Sequence, residues 1–453
     1  MLQPRQVVIT GLGVVSPLGV GREAFWQALE AGRSGVDWLP ETRELPAAVQ
    51  AEMPFRYAAR IKDFDAKQYV QPRKTIKVMC PEIQSAYAAA ALAVADGGLA
   101  QGAVEPERMG VVLGSEMLYG ELTELNECYR HCLADAPLSP GPQAGPTGVG
   151  AGAKQEHGAD GPFDMSRWGE FAFKDLFPLW MLKYLPNMAA CHISIAHDAR
   201  GPNNSIVEGG VSSLLAIAEA AAAIERGHAD VMLAGGSGSG TAFSCMPFRG
   251  WQQLATWQGE PAAASRPFEA GRTGIVPGEG AGVLLLEARD LAEARGVKIL
   301  ARIAGWASRF EAPAGPWQPR SGRAIRQSIE GVLAAARMQP QDIGHVNAHG
   351  EGSITPDRAE AQAIRAVLGD VPVTALKSYF GDCAAGSGAL ELIGSVLGLV
   401  HSRVPRTLNY EQPDPECPVN VVAGAAQPAA RPTALALSQS LTGQAAAMIV
   451  VRD

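Results

Sequence analysis

The sequence lacks most features of a secreted, membrane-spanning or nucleic-acid-binding protein. Charged residues are 19% of the 453 and the formal net charge is -8, so the basic excess of a nucleic-acid binder is missing. No stretch reaches about 18 apolar residues without glycine or charge, which argues against a membrane span. The seven cysteines include no CxxC pair, and such a pattern favours reduced thiols. We therefore expect a cytoplasmic protein with no nucleic-acid partner and no membrane span.

One cysteine pair has a spacing that is open to two interpretations. Cys128 and Cys132 lie four residues apart and flank His131, a spacing that on a helix would suit packing or a metal ion. No second pair accompanies them, so packing is the favoured interpretation. We expect no metal site and no cofactor.

The apolar pattern predicts an α/β fold. Short β-branched stretches such as Val7–Thr10 and Met109–Leu113 alternate with helical patterns such as Arg22–Ala31, an order that is typical of a sheet covered by helices. Gly11-Leu12-Gly13 predicts a turn between Val7–Thr10 and Arg22–Ala31. The second half of the chain repeats this alternation. We therefore predict two duplicated βαβ halves, at residues 1–260 and 261–453.

Two segments interrupt this alternation. Residues 137–161 are rich in Gly, Pro, Ala and Gln and contain almost no large apolar residue, which predicts a flexible insertion. The aromatic-dense stretch 168–184 that follows predicts a helix packed on the core or in a dimer interface, in preference to one that lines a ligand site.

The most suggestive local feature is a turn between a predicted strand and a predicted helix. The strand is Ser205–Val207 and the helix is Val211–Arg226, so Glu208–Gly210 forms a strand-to-helix elbow. The amides and dipole at a helix N-terminus favour an anionic nucleophile or ligand at such a place.

Several stretches along nearly the whole chain together resemble a known family. They are VVITGLGVVSPLG (Val7–Gly19), ADVMLAGG (Ala229–Gly236), SRPFEAGRTGIVPGEGAGVLLLE (Ser265–Glu287), NAHGEGS (Asn347–Ser353) and LKSYFGD (Leu376–Asp382). The sequence resembles the elongating β-ketoacyl-acyl-carrier-protein synthases and the ketosynthase domains of polyketide synthases. The resemblance implies a thiolase-like, five-layer αβαβα fold and a dimer whose active sites lie close to the interface.

The resemblance also implies a reaction centre of one cysteine, two histidines and a lysine. His349 matches the first histidine and Lys377 matches the lysine. Gly210 stands at the cysteine position, and no cysteine lies between Cys191 and Cys245. Asp382 stands at the position of the second histidine. Two of the four groups that the family chemistry needs are therefore replaced.

Other positions near the reaction centre also depart from the family pattern. Leu441 lies in a loop where the family has a Gly-Phe-Gly-Gly-Thr type sequence, at the place of the phenylalanine that gates the acyl tunnel. Glu351 stands where the family has a small threonine. Asp357 and Glu360 match family positions that brace the loop of the first histidine.

These replacements predict that the chain is inactive in condensation on its own. Glycine has no side chain to acylate, and a carboxylate at 382 would lie beside developing negative charge on an enolate. Ser212 and Ser213 are expected to cap the helix rather than to react. Cys383 follows Asp382, which would raise the pKa of its thiol, so we expect a packed residue.

Three functional hypotheses follow from this pattern. The leading one is a chain-length-factor-like subunit that pairs with an active ketosynthase and shapes the acyl or polyketide chamber. The second is an enzyme that uses acid-base chemistry on acyl-carrier-protein thioesters, with His349, Glu351, Glu208 and Asp382 as candidate groups. The third is a homodimeric acyl-binding scaffold without turnover. The expected partners are an acyl carrier protein or acyl thioester and a second subunit, in a homodimer or a heterodimer.

Overall fold

The structure, a computed structural model, describes residues 5–39, 56–116, 120, 122–133, 163–241, 253–312 and 321–453. The predicted flexible insertion at 137–161 lies outside the described residues. The strands are β1 (Val7–Ser16), β2 (Gly19–Val20), β3 (Asp37–Trp38), β4 (Tyr57–Ala58), β5 (Met109–Gly114), β6 (Asn203–Ile206), β7 (Val231–Ser239), β8 (Glu279–Ala288), β9 (Ala301–Phe310), β10 (His345–Asn347), β11 (Pro372–Thr374), β12 (Arg403–Val404), β13 (Asn420–Val421), β14 (Gln427–Pro428), β15 (Thr433–Gln439) and β16 (Gln444–Val451).

The helices follow the predicted alternation with the strands. They are α1 (Arg22–Ala31), α2 (Pro81–Asp96), α3 (Leu122–His131), α4 (Ser166–Asp175), α5 (Met188–His197), α6 (Ser212–Glu225), α7 (Arg289–Arg295), α8 (Arg323–Ala336), α9 (Ile354–Leu368), α10 (Lys377–Phe380) and α11 (Ser387–Val400). Within the described ranges, no helix is both long enough and apolar enough to cross a membrane.

Two sets of strands within the central sheet repeat the same topology. The first set lies in the order β6-β5-β7-β8-β1 and the second in the order β11-β10-β15-β16-β9. In each set the first two pairings are parallel and the last two are antiparallel. The two halves therefore have one topology, which confirms the predicted duplication of the fold. The division at residue 260 stays a prediction. β8 follows residue 260 in the chain but pairs with β7 and β1 of the first set.

The helices form three layers around these two sets of strands. α6 and α11 contact strands of both sets, and nearly every residue of α11 is buried, so the two helices form the middle layer. α2 packs on β1 and β8, and α8 packs on β9 and β16. This arrangement matches the expected five-layer αβαβα order.

Glycines in β1 allow α2 to lie directly on the sheet. A Cβ atom at Gly13 would lie 1.8 Å from the carbonyl oxygen of Ala89, and one at Gly11 would lie 2.2 Å from that of Ala93. Any side chain at these positions would push the helix away from the strand. The Gly11-Leu12-Gly13 sequence is thus part of the strand rather than the turn that the sequence suggested.

The aromatic-dense stretch does not form one helix packed on the core. It contains α4, which has no buried residue, and a short 3-10 helix at Trp180–Tyr184. Phe173 is 94% exposed and Met181 is 63% exposed. Of the two predicted roles, core packing fails for α4 because none of its residues is buried, and Trp168 and Phe171 are only half-buried.

Candidate functional site

The predicted site residues lie where four chain segments meet at the ends of strands. Gly210 follows β6, His349 follows β10, and Lys377 follows β11 at the start of α10. The end of β15 lies against the elbow, since Ser438 Oγ in this strand donates a hydrogen bond to the carbonyl oxygen of Gly210 at 2.8 Å. Residues far apart in sequence are thereby brought into one site.

Gly210 directly faces the imidazole of His349. A Cβ atom at Gly210 would lie 3.3 Å from His349 Cε1 and 2.8 Å from the carbonyl oxygen of Gln439. Gly209 has a φ of +64°, a conformation that favours glycine, whereas Gly210 does not require one. The backbone conformation therefore does not require glycine at residue 210, and the effect of a side chain there depends on its chemistry and on the space available.

Lys377 fixes the position of the His349 ring through its Nδ1 atom. Its Nζ lies 3.1 Å from His349 Nδ1, 2.9 Å from the His349 carbonyl oxygen and 2.5 Å from Glu391 Oε1. An ammonium group has three N–H donors and no acceptor, so all three donors are used. Nδ1 must then act as an acceptor, which places the proton of a neutral imidazole on Nε2.

Burial and charge act in opposite directions on the Lys377–Glu391 pair. Both side chains are almost fully buried, at 1% and 0% exposure. Burial is the largest influence on the pKa of Lys377 and lowers it, but the charge of Glu391 opposes this and the net pKa is raised. Burial raises the pKa of Glu391 to about 7, against the effect of Lys377. Each charge is compensated by the other.

Glu351 engages the remaining nitrogen of the His349 ring. Its Oε2 lies 3.4 Å from His349 Nε2, a long hydrogen bond by the usual standards. Burial is the largest influence on the pKa of His349 and lowers it, but the hydrogen bond and charge of Glu351 act the other way and the net pKa is raised. Both ring nitrogens are thus bound by side chains of the protein itself.

Two buried carboxylates hold the loop that carries His349 and Glu351. Glu360 accepts hydrogen bonds from the backbone N–H groups of His349 at 2.7 Å and Gly350 at 2.9 Å. Asp357 accepts from the N–H of Glu351 at 3.1 Å and from that of Gly352 at 3.2 Å. Burial raises the pKa of Asp357 to about 7. These contacts fix the backbone on either side of the imidazole.

Asp382 lies close to the same cluster but binds the start of α11. Its Oδ1 accepts hydrogen bonds from the N–H of Ala384 and from Ser387 Oγ, each at 2.9 Å. It is 8% exposed, and its charge raises the pKa of Lys377.

The alternative nucleophiles are occupied by structural contacts. Ser212 Oγ donates to the Gly209 carbonyl oxygen at 2.7 Å and accepts from the N–H of Glu208 at 2.8 Å. Ser213 Oγ accepts from the N–H of Ala389 at 3.0 Å. Burial raises the pKa of the Cys383 thiol well above its usual value, and its Sγ donates to the Phe380 carbonyl oxygen at 3.5 Å. A thiolate nucleophile is therefore disfavoured at residue 383.

The remaining two predicted site residues lie on the outer side of the elbow. Leu441 is 41% exposed. The Glu208 carboxylate accepts a hydrogen bond from Thr442 Oγ1 at 3.0 Å, and in the described part of the chain no hydrogen bond joins it to His349. Of the carboxylates proposed for acid-base chemistry, the structure brings Glu351 to the imidazole and places Glu208 in a different contact.

Two residues of this site were missed by sequence reasoning. Glu391 carries the buried ion pair with Lys377, and Gln439 lies against Gly210 and donates to Glu360 at 3.4 Å. The sequence does contain an indication of Glu391, because it is the one charged residue in the otherwise apolar stretch of α11, and a buried charge requires a partner. The sequence contains no such indication of Gln439, since its position depends on where β15 ends.

The cysteine pair at the end of α3 has ordinary packing contacts. Cys128 and Cys132 are both buried, and Cys132 Sγ donates to the carbonyl oxygen of Cys128 at 3.3 Å. His131 stacks on Phe171 with the ring centroids 3.8 Å apart. In the described ranges, no group of three or more His, Cys, Asp or Glu side chains is arranged to hold a metal ion.

Comparison with known proteins gives one consistent result. The sequence matches the family described as beta-ketoacyl synthase, N-terminal domain, over residues 4–131 and 124–292, and the corresponding C-terminal domain over residues 300–411. A relative from Streptomyces halstedii, a putative polyketide beta-ketoacyl synthase 1, is 33% identical over 427 residues, which cover 92% of this chain and 91% of the relative.

Two solved structures share the whole fold. One is a type II polyketide synthase acyl carrier protein in complex with its ketosynthase bound to the hexaketide, at a TM-score of 0.80 and 25% identity, with 100% of both chains covered. The other is the ishigamide ketosynthase/chain length factor, at a TM-score of 0.80 and 25% identity, with 99% of this chain and 100% of that chain covered.

Proposed function

The chain belongs to the β-ketoacyl synthase family, the ketosynthases of fatty acid and polyketide biosynthesis, and we propose that it is a non-condensing member. In this proposal it pairs with an active ketosynthase, as a chain-length-factor-like subunit, and helps to form the chamber for the growing acyl or polyketide chain. An acyl carrier protein delivers that chain to the complex, in the cytoplasm.

The observation that carries this proposal is the residue that faces His349. Residue 210 lies two residues before α6, and a Cβ atom there would lie 3.3 Å from His349 Cε1, which is the place for a group that works with this ring. Glycine supplies no atom that can accept an acyl group, so covalent catalysis through this residue is impossible. A subunit with such a site needs a partner that provides the nucleophile.

The hydrogen bonds of His349 support the same proposal. Lys377 binds Nδ1 and Glu351 binds Nε2, so the ring has no free nitrogen to stabilise an enolate oxygen. Asp382 adds a carboxylate close to Lys377, and negative charge there opposes the development of an oxyanion. The decarboxylation that precedes condensation is therefore disfavoured as well.

The surface around β6 supports assembly with a second subunit. β6 is the last strand at its edge of the sheet among the described residues, and an unpaired edge is open to pairing with another chain. Ile195 is 79% exposed and Val207 is 42% exposed beside this strand. Exposed apolar side chains next to a free sheet edge are typical of a subunit interface.

The proposal is tested by native mass spectrometry of the protein co-expressed with a cysteine-containing ketosynthase from the same genome and an acyl-loaded carrier protein. We expect a one-to-one complex, with extension of the thioester that is lost when the partner's cysteine is replaced by alanine. Ile195→Asp should weaken the complex, and Arg326→Asp on the exposed face of α8 is a matched surface control that should not.

Two results would contradict the proposal. The first is a stable homodimer that ignores the ketosynthase at micromolar concentrations of both proteins. The second is thioester extension that persists after the partner's cysteine is removed, because the nucleophile would then have to come from this chain.

One observation favours a second candidate, an acid-base enzyme that acts on carrier-bound thioesters. The pair of Glu351 and His349 has a raised imidazole pKa, and such pairs serve as general acids or bases in many enzymes. This candidate requires that the homogeneous protein alone changes the mass of a loaded carrier thioester, and that His349→Gln abolishes the change. A homodimer that binds acyl chains without either activity would instead be a scaffold.

A further inference from the structure

The carboxylate of Glu351 is bound to the imidazole of its own loop. Its Oε2 lies 3.4 Å from His349 Nε2, and the two side chains are 7% and 3% exposed. The opposite ring nitrogen is bound by Lys377 at 3.1 Å. Nε2 is therefore the one nitrogen from which a ligand could receive a hydrogen bond, and Glu351 occupies it.

We propose that Glu351 acts as an internal ligand of His349 and excludes small carboxylates from the site, so that its removal opens a binding site for a carboxylate anion. This inference rests on the proposed function, since it explains how the site of a non-condensing subunit avoids binding the carboxylate of a malonyl group. It adds a specific residue that determines which ligands the site accepts.

The charges around His349 determine which kind of ligand would replace Glu351. Those that act on the ring are the ammonium of Lys377 and the carboxylates of Glu351, Glu391 and Glu360. Loss of Glu351 removes one negative charge and leaves the Lys377–Glu391 pair intact. A small carboxylate would restore both that charge and the acceptor for the Nε2 proton, and hydrogen bonds to a charged acceptor are the stronger kind.

The space that Glu351 leaves also suits such an anion. The side chain consists of two methylene groups and a carboxylate, and acetate is a carboxylate with one methyl group. The backbone would stay in place on deletion of the side chain, because Asp357 binds the N–H groups of residues 351 and 352 and Glu360 binds those of 349 and 350. The opened site would thus keep its shape.

Two variants separate the effect of space from that of charge. Glu351→Ala opens the space, whereas Glu351→Gln fills it with a neutral side chain of the same length. Glu351→Thr is a third variant, with a smaller side chain that keeps a hydroxyl group, for the case that Glu351→Ala does not fold. All three are measured on the isolated chain, so the result does not depend on assembly with a ketosynthase.

The experiment is a titration of the His349 ring signals by NMR with sodium acetate, with sodium chloride at equal ionic strength as the control. The His349 signal is assigned among the eight histidines by its loss in His349→Gln. We expect a saturable shift with acetate in Glu351→Ala or Glu351→Thr, and no saturable shift in the wild type or in Glu351→Gln. The imidazole pKa should fall in both Glu351→Ala and Glu351→Gln, and acetate should raise it again in Glu351→Ala.

Two outcomes would overturn the inference. If acetate shifts His349 equally in the wild type, then Glu351 does not exclude carboxylates. If Glu351→Ala, Glu351→Thr and Glu351→Gln all leave the His349 titration unchanged, then the contact between the two side chains does not exist in solution. Either outcome is independent of complex formation, which tests the proposed function separately.

Discussion

Replacement of Gly210 by cysteine is the most direct test of the reaction centre. A Cβ atom at this position would lie 2.8 Å from the Gln439 carbonyl oxygen and 3.3 Å from His349 Cε1. The first distance is shorter than normal van der Waals contact and involves a backbone atom, so the end of β15 must move slightly. Overpacking of this kind costs about 1–3 kcal/mol, and the lower chain entropy of a non-glycine residue in the unfolded state offsets about 0.4–1 kcal/mol.

We therefore expect Gly210→Cys to fold with a free energy of unfolding that is lower by about 1–2 kcal/mol. Gly210→Ala is the matched control, since it introduces the same Cβ atom without the thiol. Denaturant unfolding should show nearly equal losses for the two variants. A loss confined to Gly210→Cys would mean that sulfur, and not Cβ, makes the unfavourable contact.

We expect no condensation product from Gly210→Cys alone. The new thiol would face an imidazole whose nitrogens are bound by Lys377 and Glu351, and Asp382, which the sequence motifs align with the second histidine of the family, would remain. The assay is intact-mass analysis of the protein and of its product after incubation with acyl-loaded and malonyl-loaded carrier proteins. A condensation product from the single variant would refute this reasoning about Glu351 and Asp382.

Three further predictions concern stability. Lys377→Met should lower the free energy of unfolding by about 3–5 kcal/mol because it leaves Glu391 buried without a counter-charge, and Lys377→Met combined with Glu391→Leu should recover most of the loss in denaturant unfolding. His345 has a pKa lowered to about 4 by burial. The stability that the protein gains from keeping this imidazole neutral is therefore fully present above its unfolded pKa of about 6.5 and is lost as pH falls towards 4. His345→Leu should reduce that acid loss, about 3 kcal/mol, in unfolding measured across this range. Asp230 has a pKa lowered to about 2, first by Arg108, so Asp230→Asn should cost about 2 kcal/mol at pH 7 and progressively less from pH 4 to pH 2.

The fold could be predicted well from the sequence where one periodic pattern covers a whole element. Helix α1 has the predicted bounds, and α6 differs from its predicted range by one residue at each end. Strand β1 was predicted to end at Thr10 and continues to Ser16, because Gly11 and Gly13 suggest a turn when they are considered without α2. Glycine is required at these two positions because α2 lies directly on the strand, and the residues of α2 that make this contact come about 80 positions further along the chain.

The site could be predicted less completely than the fold. The family motifs placed His349, Lys377, Glu351 and Asp382 near one another, and the structure shows them in one buried cluster. The motifs do not reveal that Glu351 turns back onto the imidazole, since side-chain direction in a loop depends on tertiary contacts. For the same reason Glu208 was grouped with His349, whereas its hydrogen bond is to Thr442.

The buried charges around His349 argue against a site that has simply decayed. An unpaired buried charge costs several kcal/mol, yet Lys377 Nζ binds Glu391 Oε1, and Glu360 is bound by two backbone N–H groups. Glu351 extends this network at the one ring nitrogen that Lys377 leaves open. The site therefore combines an intact supporting network with Gly210, a residue without a side chain, facing His349. Such a combination is expected of a subunit whose shape is still required while its partner carries out the chemistry.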